Sequence, residues 1–150
     1  MQKAFFIIVF FTMSSSLVAQ SLKDLSFGAD NTFDVVTWNI ERFAKDGQTT
    51  VDSVERIIRS MDAEIIALQE IKDTFLFNKM IKNLADFDWF YDPGYPGGLA
   101  YVYKSTVVEV LDLYEIYTNE QYWHDLPRAP LVLEVKYEDI KYVFINNHLK

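Results

Sequence analysis

Asn39 and Glu70 are the residues whose types and positions point first to chemistry. Phe33, Val35 and Thr37 alternate with Asp34, Val36 and Trp38, a strand pattern that should end near Asn39. Ile65-Ile66-Ala67-Leu68 is a continuous apolar run, as in a strand covered on both faces, and it leads straight into Gln69-Glu70. Polar groups at strand ends lie at the rim of a sheet, where α/β proteins bind ligands. An amide oxygen and a carboxylate at one rim are hard ligands, suited to a magnesium-type ion that keeps waters for a phosphate substrate. His148 ends a third run, Lys141-Tyr142-Val143-Phe144-Ile145, beside Asn146 and Asn147. An imidazole there can hydrogen-bond a phosphate oxygen or a carboxylate.

The elements that must hold these groups follow from periodicity. Val51, Val54, Ile57, Ile58 and Met61 recur at helical spacing, with Thr49 or Thr50 as cap and Asp52, Glu55, Arg56 and Arg59 on the opposite face. That helix joins the first two strands, which should therefore be parallel. A second helix starts at Asp73 or Thr74, with Phe75, Leu76, Met80, Ile81 and Leu84 as its buried stripe. Phe87 to Tyr91 reads as a short strand, and the Pro/Gly-rich stretch 92–98 is the strongest loop signal in the chain. Leu99 to Tyr103 and Val107 to Tyr117 read as strands joined by a tight turn at Lys104-Ser105-Thr106, which predicts an antiparallel pair. The stretch 118–127 is polar and aromatic; a strand then runs from Arg128 to Val135, and Tyr137-Glu138-Asp139 turns into the last strand.

Composition narrows the class. The chain has 150 residues, half of them apolar, enough for one domain's core. A formal charge of -8 argues against gripping nucleic acid by charge alone, but not against a phosphodiesterase whose metal supplies local positive charge. The absence of cysteine removes disulfides, thiolate chemistry and cysteine zinc sites. Met1-Gln2-Lys3, the apolar run Ala4 to Phe11 and the small residues up to Ala19 read as a signal peptide over residues 1–19. The apolar run is short of the roughly 20 residues needed to span a bilayer. The expectation is a secreted or periplasmic protein without a stable membrane anchor.

Thr37-Trp38-Asn39-Ile40, Ile66-Ala67-Leu68-Gln69-Glu70 and Asn146-Asn147-His148-Leu149 together resemble three successive motifs of the endonuclease/exonuclease/phosphatase superfamily. The resemblance covers residues 33–150 and only the N-terminal half of that domain. It implies an α/β fold, a mixed β-sheet sandwich flanked by helices in four α/β/β/α layers, with residues 20–150 forming the first half. It also implies Glu70 as the main carboxylate for Mg2+ or Mn2+, and Asn39 as a second metal-site residue that orients the ion or its water. His148 becomes the phosphate-contacting histidine, and Arg128, ahead of Ala129-Pro130-Leu131, the arginine near the substrate, able to fork onto phosphate oxygens.

Other residues carry less. Glu41, Arg42 and His124 receive no role; Tyr95, Tyr101 and Tyr103 can stack on a base or line a headgroup pocket, though core or sheet-face packing is the preferred reading for most of them. The family's later motifs, Gly-Asp-x-Asn and Ser-Asp-His, do not occur in these 150 residues, so the chain reads as a fragment expected to be inactive by itself. The functional expectation is a secreted metal-dependent phosphodiester hydrolase, foremost a nuclease. The alternatives are a phosphodiesterase of phospholipid or sugar phosphate and a non-catalytic secreted binding module of the same fold. Neither the substrate nor the oligomeric state is written in the sequence.

Overall fold

The computed structural model describes residues 25, 26, 28, 29, 31–94 and 97–149. The signal-peptide reading of residues 1–19 and the assignment of Tyr95 lie outside these. Strand β1 (Val35–Phe43), helix α1 (Gln48–Met61) and strand β2 (Ile65–Ile71) open the chain, followed by helix α2 (Thr74–Ile81) and strands β3 (Phe87–Asp92) and β4 (Gly98–Lys104). Strands β5 (Glu109–Glu115), β6 (Leu131–Tyr137) and β7 (Ile140–Asn146) complete it, with a short 3-10 turn at Glu120–Tyr122 between β5 and β6. Strands β1 to β4 form one sheet in the order β1-β2-β4-β3, and β5-β6-β7 form a second, antiparallel sheet. As the connecting helix requires, β1 and β2 are parallel.

The alternation of side chains divides β2 between two cores. Ile66 and Leu68 face the helices, where Val54, Ile58, Phe77, Met80 and Ile81 cover them. Ile65 and Ala67 face the other way, onto Leu131, Leu133 and Val135 of the second sheet. A strand sandwiched between helices and a sheet must be apolar on both sides, and the first five residues of β2 are all buried. The result is the α/β sandwich expected from sequence, with one helix layer among the described residues.

Two local expectations are corrected. The turn at Lys104-Ser105-Thr106 does not join an antiparallel pair: β4 pairs with β2 and β3, and β5 with β6 in the other sheet. The turn carries the chain from one sheet to the next. In α2, Phe75 is 75% exposed and Phe77 is fully buried in its place. With the helix starting at Thr74, the inward positions are Phe77, Met80, Ile81 and then Leu84, which is the i, i+3, i+4, i+7 stripe. Asp73 caps this helix by accepting the Leu76 N–H at 2.8 Å. Helix α1 starts after Gly47 without a side-chain cap, and Thr50 instead accepts the Asp46 N–H at 3.0 Å. Among the described residues no helix is long and apolar enough to cross a membrane.

Candidate functional site

β1 and β2 run side by side in register from Val35↔Ile65 to Asn39↔Gln69 and then both become irregular. Four steps along β1 (Asn39 to Phe43) pass two along β2 (Gln69 to Ile71), and the same two steps of β2 pass one step of β4. Glu70 is thus the extra residue of a β-bulge, in left-handed backbone at φ 66°, and Glu41 and Arg42 beside it also have positive φ. Non-glycine residues held in this region cluster where a site needs a side chain re-aimed. Here the distortion brings Glu70 to Asn39 and to the Arg42 backbone.

The Glu70 carboxylate is clamped at both oxygens. Asn39 Nδ2 donates to Oε1 at 3.1 Å, and the Arg42 N–H donates to Oε2 at 3.1 Å. His148, at the end of β7 in the other sheet, brings Nε2 within 3.4 Å of Oε1. Arg128, just ahead of β6, packs its Nη1 against His148 Nδ1 and also donates to the His148 carbonyl at 3.4 Å. Because a guanidinium only donates, Nδ1 is the accepting nitrogen. With Nδ1 accepting from Arg128, the neutral ring is assigned its proton on Nε2, facing Glu70. The Asn39 Nδ2 contact with that nitrogen, at 3.3 Å, is then packing between two donors.

These contacts set the charges. The Asn39 amide above all, then the Arg42 N–H and the nearby His148 and Arg128, hold the Glu70 carboxyl below the usual range, outweighing its partial burial. Burial first and the Arg128 guanidinium second push the His148 ring down, with Glu70 opposing them. At neutral pH the site holds a carboxylate, a neutral imidazole and a guanidinium. The guanidinium has a further donor: among the described residues, Arg128 Nε is buried and has no hydrogen-bond partner. A buried N–H left open in this way is suited to an anionic oxygen.

The four residues singled out from sequence, Asn39, Glu70, Arg128 and His148, therefore meet at one end of the sandwich. The donor set suits a hard divalent cation in part. Each Glu70 oxygen accepts an N–H at 3.1 Å and keeps lone pairs, as Mg2+ requires when it takes one or two protein carboxylates plus water and phosphate. Asn39 turns its NH2 to Glu70 and gives its oxygen to the Glu41 N–H at 2.9 Å, so in this geometry its work is to orient the carboxylate. Among the described residues there is no group of three acidic, histidine or cysteine side chains able to hold a metal by themselves.

Of the remaining residues, Glu41 turns away to Lys45 at 2.9 Å. His124 is exposed in the β5–β6 connection, with Nδ1 2.8 Å from Asp125. Tyr101 is buried between the sheets, its hydroxyl donating to the Leu131 carbonyl at 3.1 Å, and so has a packing role; Tyr103 is half-buried against the same core. Sequence reasoning did not single out Gln69 and Asn146 individually, because a polar residue after an apolar run reads simply as the strand's end.

The sequence matches the family model described as "Endonuclease/Exonuclease/phosphatase family" over residues 36–140. No curated protein matches it. Solved structures of similar fold include D. rerio TDP2 complexed with single strand DNA product, at 13% identity and a TM-score of 0.64, over 77% of this chain and 45% of that one. Truncated Caenorhabditis elegans TDP2 matches at 22% identity and a TM-score of 0.60, over 79% and 46%. ANGEL2, described as a 2',3'-cyclic phosphatase, matches at 18% identity and a TM-score of 0.61, over 77% and 40%. At these identities the likeness is one of fold, and the chain spans less than half the length of each of these proteins.

Proposed function

The chain belongs to the endonuclease/exonuclease/phosphatase family, and from that premise we propose that it carries the metal-holding and phosphate-contacting residues of a secreted, divalent-metal-dependent phosphodiester hydrolase acting on nucleic acid. The observation that carries the reading is the convergence of an ionised Glu70, a neutral His148 and an Arg128 with a buried open donor on one strand-end rim. A Mg2+ or Mn2+ ion held by Glu70, whose carboxylate the Asn39 amide orients, would supply positive charge to the scissile phosphate. Asn39 and the Arg42 N–H keep the carboxylate charged and fixed in direction. Arg128 offers Nε–H to a phosphate oxygen, and His148 Nε2–H can donate to the same group as charge grows on it. Preorganised donors of this kind act without rearrangement at the moment of reaction.

Nucleic acid is preferred over phospholipid or sugar phosphate because one fold neighbour is described in complex with a single-strand DNA product. The leader-like residues 1–19 support action outside the cell. The test is cleavage of plasmid DNA, an oligoribonucleotide, sphingomyelin and a chromogenic phosphodiester by the native product containing this chain, with Mg2+, with Mn2+ and with chelator. Metal-dependent cleavage of a nucleic acid, lost in Arg128→Ala, is expected. Turnover that survives chelation, or no turnover of any phosphodiester, would sink the proposal.

A further inference from the structure

Only Gln69 and Asn146 among the described residues are buried polar side chains, at 6% and 2% exposure, and each lies next to a site residue in sequence. Gln69 precedes Glu70, and Asn146 precedes His148 by two. They meet in the core between the sheets: Gln69 Nε2 donates to Asn146 Oδ1 at 2.7 Å and lies 3.1 Å from Thr37 Oγ1 and 3.2 Å from the Ala67 carbonyl. Asn146 Nδ2 donates to the Leu68 carbonyl at 2.9 Å and to the Ala100 carbonyl at 3.1 Å. The last residue of β7 is thereby bonded to β2 and β4 of the opposite sheet.

This arrangement forms a rung beneath the site. Thr37, Gln69 and Asn146 lie on β1, β2 and β7; one or two residues further along the same strands come Asn39, Glu70 and His148. Apolar packing between sheets has no direction and tolerates sliding, whereas a bonded amide pair admits one registration. For stability alone, two leucine-like side chains would serve this core as well as two amides, whose desolvation must be offset by their hydrogen bonds. The amide orientations are fixed by their partners: both Asn146 N–H groups face carbonyls, so its oxygen must face Gln69.

We infer that Gln69 and Asn146 are positioning residues that hold the two sheets in the one registration that sets His148 against Glu70. The inference rests on the reading of Glu70 as the metal-holding carboxylate and extends it to the groups that aim it. Outer partners of metal ligands, when lost, cost about 10- to 100-fold in metal affinity or activity.

The test uses the protein with Gln69→Leu and Asn146→Leu together, so that neither amide is left facing an apolar partner, with Asn147→Ala as control on an exposed neighbour. Three quantities are read: the thermal midpoint, Mn2+ affinity by electron paramagnetic resonance, and the ring 15N signals of His148. The double variant should keep a cooperative transition, bind Mn2+ about 10- to 100-fold more weakly, and show His148 signals moved to those of a solvent-exposed imidazole. Asn147→Ala should change none of these. A folded double variant with Mn2+ affinity within about twofold of the parent and unmoved His148 signals would overturn the inference. If the double variant does not fold, Gln69→Met, which leaves Asn146 its two carbonyl partners, is read in the same way, and unmoved signals there overturn it equally. Should the parent itself bind no Mn2+, the metal reading of Glu70 fails, and the His148 ring signals alone decide the positioning role.

Discussion

Glu70→Gln is the substitution with the most specific expected outcome. It preserves side-chain size, and at many carboxylates it is a mild change. Here both oxygens accept N–H groups, one from Asn39 and one from Arg42, each at 3.1 Å. A new amide NH2 must face one of those donors, so one hydrogen bond becomes a donor-donor contact and the other loses its charge assistance. A hydrogen bond to a charged group contributes about 1.5–3 kcal/mol. The Glu70 side chain is 24% exposed, so solvent screening brings the expected loss to about 1–1.5 kcal/mol. That alone is roughly a tenfold change in any equilibrium requiring the clamped geometry. Loss of the negative charge toward a hard dication adds to it, and a combined decrease in Mn2+ affinity of at least about 100-fold follows.

Titration with Mn2+ by calorimetry, repeated as a thermal midpoint with and without the ion, measures both parts. A ligand at 100 times its dissociation constant stabilises the folded state by about 2.7 kcal/mol, so the parent should gain a clear upward shift that the variant lacks. Glu41→Gln is the control: Glu41 is 72% exposed and paired with Lys45, pointing out of the site. If Glu70→Gln binds Mn2+ as the parent does, or if Glu41→Gln weakens binding equally, the metal site has been assigned to the wrong carboxylate.

Three further outcomes are expected. Gly97→Ala places a methyl group 3.2 Å from Glu70 Cα and should weaken Mn2+ binding by disturbing the bulge, whereas Gly94→Ala, whose nearest neighbour is Asp92 Oδ2 at 3.6 Å, should not; equal effects in a Mn2+ titration would refute this. Lys104 is lowered by burial but raised more by its bonds to Asp62 at 2.9 Å and Glu64 at 3.0 Å, for a net upward shift. Its folded value thus exceeds the unfolded value of about 10.4, and its contribution is full below that pH and lost as pH rises through the folded value. Lys104→Met should be less stable than the parent at pH 8 and converge with it under strongly alkaline conditions in urea melts; a constant difference would count against the pairing. Tyr101→Phe removes the buried bond to the Leu131 carbonyl and should lower stability by about 1 kcal/mol in the same assay, with an unchanged or higher midpoint speaking against that bond.

Much of the fold was legible where a pattern has one physical solution. An apolar run between two turns, after a helix with one apolar face, permits little besides a parallel β1-α1-β2 unit. The positions of Glu70 and His148 near strand ends followed from where the apolar runs stop, whereas β1 runs past the end expected near Asn39 to Phe43, because Ile40 and Phe43 also reach the helix-side core. The turn after β4 was misread because a tight turn looks the same whether the chain returns within its sheet or crosses to another. Phe75-Leu76-Phe77 is apolar at three successive positions, so only the start of the helix decides which aromatic faces inward. The contact of Arg128 with His148 depends on how the β5–β6 connection returns to the rim, and no local spacing encodes that.

The site itself depends on a breach of the alternation that made the strands readable. In β2 the residues facing the helices are Ile66 and Leu68, and a regular strand would send Glu70 to the same side, into the core lined by Phe77 and Met80. Asn39 follows Val35 and Thr37 on the other parity of β1, and Asn146 points inward from β7 toward the second core. Left regular, the carboxylate would be buried on one face of the sheet with its partners on the other. The left-handed residue at Glu70 absorbs one position, and Ile71 then returns to the helix-side core although its parity is odd. In β1 the pair Glu41 and Arg42 does the same, so that Ile40 and Phe43 both reach that core. The two irregularities lie at the same level because the strands are paired, and what they release is the Arg42 N–H, free of the ladder and bonded to Glu70. Gly97 passes over this point with no side chain, at the distance where a Cβ would press on the Glu70 backbone. The strain at three residues and the glycine opposite them thus have a common cause: a carboxylate moved from the parity of the core to the rim where the amide, the imidazole and the guanidinium converge.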